Sequence, residues 1–372
     1  MTRSQGGIKP QRVRRLLRRM VDIYSPSGKE EEILEFLYGH LKRQKLPVVR
    51  QPVDESRYNL VVAPQGGEIQ LALIGHVDTV PAFDLDHYGY QEQGDQIRGL
   101  GAADMKGGCA AMVEAYLGLW ETRGPELPVA LALVVGEEEE GDGARRLVKD
   151  YRFPWAIVGE PTDLRPCLGH YGYLEIQLST RGRRMHASLA NQGRNAVEAM
   201  LRLLLTVTRF FEDRHPEFVF NVRDLVSSRA GFAVPDRCEA WLDVHLPPSA
   251  PIGAVTLELD ELVSRERSAD PSLDASLRFA MIHGGYEIPE KGAVMDALRS
   301  VYEKLGLPFE DLQAFRSHSD ANELWAAGVK PLLLGPGQLE KAHVPDESVS
   351  FRDVCLAAEL YAELAEALCT IN

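Results

Sequence analysis

Apolar positions in this chain fall into two textures. Leu71 to Ile74, Val129 to Val135, Trp155 to Gly159 and Lys330 to Gly337 ("KPLLLGPG") are near-continuous apolar runs that end at or beside a glycine. Such runs predict strands buried on both faces, and the stretches between them carry helical spacing. Strands of this kind alternating with helices predict an α/β fold, a mostly parallel sheet sandwiched by helices. Near the start, "QRVRRLLRRMVDIY" places Val13, Leu16, Leu17, Met20 and Val21 on one helical stripe. That pattern predicts an amphipathic helix packed on a core with its arginines in water.

Between about Tyr171 and Gly285 the texture changes. "YLEIQLST" and "CEAWLDVHL" alternate apolar and polar residues, the mark of strands with one wet face, and "NAVEAMLRLLLTVTRFFEDR" between them has the pattern of a long helix. The chain then returns to a helix at "GAVMDALRSVYEKLG" and to the apolar strand at Lys330. The expected organisation is a catalytic domain in two pieces, 1–170 and 286–372, with a smaller α+β domain inserted at 171–285.

Each buried strand leads into polar residues. His76 and Asp78 come after the first, Glu137 to Glu140 after the second, Glu160 after the third, and His343 after the fourth by a short loop. Buried polar groups cost free energy unless they are paired. In parallel sheets, ligands sit in the crevice beyond the carboxyl ends of the strands, so these residues are expected at one edge. "RGLGAADMKGG" adds Asp104 in a glycine-rich turn before a helix. The glycine order matches neither a P-loop nor a dinucleotide fingerprint, so a phosphate cradle is the weaker reading.

Two imidazoles and three carboxylates (His76, Asp104, Glu138, Glu160 and His343) suit zinc, with cobalt or manganese as substitutes. Five ligands exceed what one tetrahedral catalytic ion needs and fit two ions sharing a bridging carboxylate. Paired ions activate a water and polarise a carbonyl oxygen. Glu137, beside a ligand, is then the expected general base, and Asp78 the group that accepts the other N–H of His76 and fixes its tautomer. Taken singly, each residue has a plain structural explanation: a strand end, a solvated helix start, a surface histidine. Their joint placement favours the metal site. His40, His87, His170, His215 and His283 lack that context and read as structural.

Composition narrows the field. Aspartate plus glutamate is 55 against 41 for lysine plus arginine, a formal net charge of −14, which argues against nucleic acid or an anionic membrane as the main partner. The five scattered cysteines contain no CxxC pair and suggest reduced thiols in a cytoplasm. No apolar run approaches the length of a bilayer span, and the N-terminal stretch lacks the apolar core of a signal peptide.

Taken in order, "GHVDTVP", "RGLGAADMKGG", "VVGEEEEG", "GEPTD" and "AHVPDE" resemble the ordered motifs of the M20 metallopeptidase family, which includes acetylornithine deacetylase, succinyl-diaminopimelate desuccinylase and glutamate carboxypeptidase. The resemblance runs through nearly the whole chain. It implies two zinc ions bridged by Asp104, with His76 and Glu160 on one and Glu138 and His343 on the other. It also implies that Glu137 is the base, that Asp78 is the orienting residue, and that the inserted domain is a lid through which the chain forms a homodimer. "RGRRMHASLANQGRNAVEAM" is similar to the family's lid motif, which would make His186 a donor to the partner subunit's site, stabilising the oxyanion of the tetrahedral intermediate. Ser319 and Asp320 in "SHSDANEL" resemble a segment near the substrate.

Two positions depart from the family pattern. Where many amidohydrolase members carry an asparagine and an arginine that grip the substrate's carboxylate, this chain has Phe232 and His245. Neither reproduces the bidentate fork of an arginine. Arg229 and Arg316 are the candidates to grip a carboxylate instead. The expected activity is hydrolysis of an amide bond in a small N-acyl-amino-acid. A di- or tripeptidase or carboxypeptidase activity, or a catalytically silent binding homologue, are the alternatives.

Overall fold

The computed structural model describes residues 7–64, 67–229, 231–309 and 312–369. Two compact units are present. The larger is formed by the chain up to Leu168, by Ile288–Phe315 and by the chain from Ser319; the smaller by Gly169–Glu287 with Arg316–His318.

At the centre of the larger unit lie four parallel strands in the order Val129–Val134, Leu71–His76, Trp155–Val158, Lys330–Leu333. Tyr58–Val62 adds antiparallel beside the first and Val49–Pro52 beyond it. Every residue of Leu71–His76 and Val129–Val134 is buried, as continuous apolar runs require. Helices flank the sheet. Gly107–Arg123 is buried from Gly107 to Leu119 and packs with Pro10–Val21 and Phe351–Leu368, while Asp142–Asp150 pairs with Asp320–Ala326.

Glycine sets how closely these parts approach. A Cβ on Gly108, at the start of the long helix, would lie 2.3 Å from the carbonyl oxygen of Gly159 at the end of a strand. Only glycine permits that approach, which brings the turn carrying Asp104 next to Glu160.

One expectation fails at the N-terminal helix. Val13, Leu16, Leu17, Met20 and Val21 are its buried residues, but its arginines are not all in water. Glu114, 1% exposed on the buried helix, needs a counter-charge, and Arg12 supplies it through Nε at 2.5 Å and Nη2 at 3.0 Å. The Lys9 backbone N–H donates to the same carboxylate at 2.7 Å. A buried carboxylate so paired recovers the desolvation cost that an isolated one would carry.

The smaller unit is a four-stranded antiparallel sheet in the order Val219–Ser227, Arg237–Leu246, Gly172–Arg181, Asp274–His283. Its two middle strands alternate buried and half-buried residues. Leu174, Ile176, Leu178, Leu242 and Val244 form one apolar core with Met200, Val207 and Phe211 of Ala196–Arg214 and with Val255 and Leu259 of Ile252–Ala269. Val219–Ser227 lies at the edge and is exposed along almost its whole length.

Candidate metal centre

Each strand of the parallel block ends in a residue of the site. His76 closes its strand, Glu137 and Glu138 come after Val129–Val134 through a turn at Gly136 (φ 75°), and Glu160 lies two residues beyond Trp155–Val158. His343 is reached from Lys330–Leu333 through a loop and occupies the left-handed region at φ 56°, a conformation that non-glycine residues adopt at a cost and that clusters at functional sites.

Asp104 stands between the two imidazoles. Its Oδ1 is 3.2 Å from His76 Nε2 and its Oδ2 is 3.5 Å from His343 Nε2. On the His76 side, Glu160 Oε1 lies 4.0 Å from Nε2 and Glu137 Oε2 3.6 Å. On the other side, both Glu138 oxygens approach His343 Nε2, at 3.0 and 3.2 Å. The ligand atoms of His76, Asp104 and Glu160, and those of Asp104, Glu138 and His343, lie within 4.8 Å of one another, as do those of His76, Glu137 and Glu138.

The electrostatics favour a cation. Burial first, then the neighbouring carboxylates, pushes Glu137 and Glu160 well above the usual carboxylate range. Burial opposes charge on His76 and His343, yet the carboxylates prevail: His76 is held protonated well above its ordinary value and His343 is pulled up to about 9. The carboxylates thus recruit positive charge from the two imidazoles. Buried Glu160 Oε1 has no hydrogen-bond partner, although an orphaned buried oxygen is costly. A divalent ion would answer both facts, and the oxygen and imidazole donors fit zinc, cobalt or manganese.

Asp78 differs in detail from the expectation. The group that meets His76 Nδ1 most closely is the Asp78 backbone carbonyl at 3.1 Å; the carboxylate oxygen is 3.6 Å away. That carboxylate accepts from Ser27 Oγ at 2.7 Å and from the N–H groups of Glu138 at 3.1 Å and Glu137 at 3.3 Å. Asp78 therefore meets the imidazole with both its backbone carbonyl and its carboxylate, and the same carboxylate holds the Glu137–Glu138 turn.

The remaining candidates divide between the two units. His186, Arg229, His245 and Arg316 belong to the smaller unit and Ser319 to the larger. His186 is exposed, with Nδ1 2.8 Å from Ser188 Oγ. Arg229 and Arg316 are exposed, and Phe232 is 89% exposed. His245 is half-buried against Tyr173, ring centroids 5.2 Å apart, and its Nδ1 makes no hydrogen bond. The Ser319 hydroxyl is buried and accepts from the Ala321 N–H as the cap of Asp320–Ala326.

Sequence reasoning assigned no role to Glu347. It is 3% exposed and accepts three backbone N–H groups of the turn that carries Asp104: Gly101 at 2.9 Å, Ala103 at 2.8 Å and Asp104 at 3.0 Å. The available signal was its position four residues after His343.

A parallel sheet whose strand ends gather carboxylates and imidazoles around a shared aspartate defines a metal-dependent hydrolase. Residues 72–367 match the model of peptidase family M20/M25/M40, and the chain belongs to that family. The family is dinuclear and metal-dependent. Acetylornithine deacetylase of Edwardsiella ictaluri is 30% identical over 91% of this chain and 91% of its own length. A protein named probable carboxypeptidase from Aspergillus clavatus is 27% identical over 94% of this chain and 87% of its own. Among solved structures, a tripeptidase from Staphylococcus aureus superposes with a TM-score of 0.78 at 20% identity, covering 98% of this chain and 100% of that one.

Proposed function

We propose that this chain hydrolyses the amide bond of a small N-acyl-amino-acid with two zinc ions, which cobalt or manganese can replace. The observation that carries the reading is Asp104, whose two oxygens face two different imidazoles at 3.2 and 3.5 Å. His76 and Glu160 would hold one ion, Glu138 and His343 the other, and Asp104 both. When bound, the pair supplies Lewis acidity toward the scissile carbonyl and lowers the pKa of water. Glu137, buried beside Glu138 at the strand ends, would take the proton from that water and pass it to the leaving amine.

A peptidase reading has support of its own. The Phe232 and His245 positions lack the asparagine and arginine that many amidohydrolase members carry, and relatives include a protein named as a carboxypeptidase. Hydrolysis of N-acetyl and N-succinyl amino acids and of di- and tripeptides, measured with added Zn²⁺ or Co²⁺, separates the two: preference for peptides with a free amino terminus would overturn the deacylase reading. Arg229 and Arg316 are our candidates for holding a substrate carboxylate, with His245 and Ser319 behind them; loss of selectivity for carboxylate-bearing substrates in Arg229→Ala or Arg316→Ala tests this.

We further propose a homodimer through the smaller unit, with His186 reaching the partner subunit's site. Exposed Val219, Leu225 and Val226 on the sheet's edge strand, with exposed Leu201 and Leu205 on the neighbouring helix, support it. Sedimentation should show a dimer that Val226→Lys weakens; a wild-type monomer would contradict it. Among the described residues no helix is long and apolar enough to cross a membrane, and all five cysteines are free, which suits a reducing cytoplasm.

A further inference from the structure

We propose that Glu347 is a positioning residue that sets the separation of Asp104 and His343. The inference rests on the two-metal reading and concerns the ion those two residues would share. Glu347 bonds to the Asp104 peptide N–H at 3.0 Å although the two are 243 positions apart in sequence. One of its oxygens takes Ala103 and Asp104, and the other takes Gly101. Its own carbonyl accepts the Gly99 N–H at 3.2 Å, and Ser348 pairs with Arg98 as the antiparallel ladder continues. On its other side, the Glu347 N–H closes a turn onto Val344 O at 3.2 Å, next to His343 in its left-handed conformation.

The two ligands are thus joined by a short rigid path: imidazole, four-residue turn, carboxylate, peptide, carboxylate. A single carboxylate serves all three donors of the turn, so its loss strands them together. The charge requirement is specific. Three N–H groups converge on a group that accepts at both oxygens, and a glutamine turns one of those oxygens into a donor. In Glu347→Gln the amide can keep Ala103 and Asp104 only by setting its NH₂ against the Gly101 N–H. The fold can survive that clash by shifting the turn, and the shift moves Asp104.

The test is a Co²⁺ titration of metal-free full-length protein, monitored through the d–d absorption band and accompanied by thermal unfolding of the metal-free forms. Wild type should take up two equivalents. E347Q should bind the ion on the His343 side roughly 10–100-fold more weakly, with a changed band for that ion, the range typical when a group supporting a ligand is lost. The ion on the His76 side should weaken by a smaller factor, because Asp104 faces both imidazoles. Excess Co²⁺ should restore the second ion. E347D, one methylene short of the three donors, is read in the same way and serves if E347Q does not fold. A variant that binds both ions with wild-type affinity and spectrum, even with lowered thermal stability, would reduce Glu347 to a structural role and overturn the proposal. A wild type that binds fewer than two ions would instead overturn the two-metal reading.

Discussion

The larger unit buries charge; the smaller one buries almost none. Among the described residues, the larger buries Glu30, His76, Asp78, Asp104, Lys106, Glu114, Glu137, Glu160, Asp320 and Glu347, while the polar residues buried in the smaller are His170 and Thr180. The core of the smaller unit is apolar, and burying apolar area is favourable without any partner chemistry. The larger carries desolvation costs that are offset only in part from within, by Arg12 on Glu114 and by N–H donors on Asp78 and Glu347. Among what it leaves unbalanced is Glu160 Oε1 beside the His76 imidazole, where a bound cation would offset the cost.

The sharpest way to separate the two units is to remove the proton carrier. Glu137→Gln should retain its metal and lose at least 10²–10⁴-fold in turnover, with smaller-unit stability unchanged; near-normal rates would remove Glu137 from its role. The converse variant attacks the other core. Phe211→Ala should destabilise the smaller unit by about 3–5 kcal/mol in denaturant unfolding while leaving Co²⁺ affinity of the larger unit intact. Equal loss in both would show that they do not unfold separately.

Metal removal should reverse the asymmetry. At a free ion concentration 100 times the dissociation constant, binding stabilises by about 2.7 kcal/mol per site, so chelation should lower the transition of the larger unit only. The smallest effect is acid sensitivity from His40 and His170, one in each unit. Burial, the leading cause in both, depresses each to about 4 from the ordinary imidazole value of 6.5. Above pH 6.5 neither state is charged; as pH falls through 6.5 the unfolded chain takes up protons that the fold refuses, and stability declines until about pH 4. Urea midpoints at about pH 7.5 and about pH 5 should diverge in wild type and converge partly in His170→Asn.

Legibility in the sequence followed the same division. His76, Glu138 and Glu160 could be read because each comes after an apolar run, and burial on both faces leaves a strong pattern. Asp104 was marked by its glycines. The alternation of Gly172–Arg181 and Arg237–Leu246 announced strands with one wet face, but Val219–Ser227 left no such signal because it is exposed on both. Side chains that serve the backbone were the least visible. Asp78 carries the pattern of a carboxylate beside an imidazole, and nothing in that pattern shows that it also grips two peptide N–H groups; Glu347 grips three. A carboxylate that accepts from distant main chain has no local pattern, since its partners are fixed by the fold and not by neighbouring residue types. Arg12 escaped notice for the related reason that its partner lies 102 positions away.

The central claim is that Asp104 joins two cation sites. Crystals grown with Zn²⁺ and measured on either side of the zinc absorption edge test it directly. The account predicts two anomalous peaks flanking the Asp104 carboxylate, one against His76 and Glu160 and the other against Glu138 and His343. A single peak, or a pair that leaves Asp104 untouched, would contradict it.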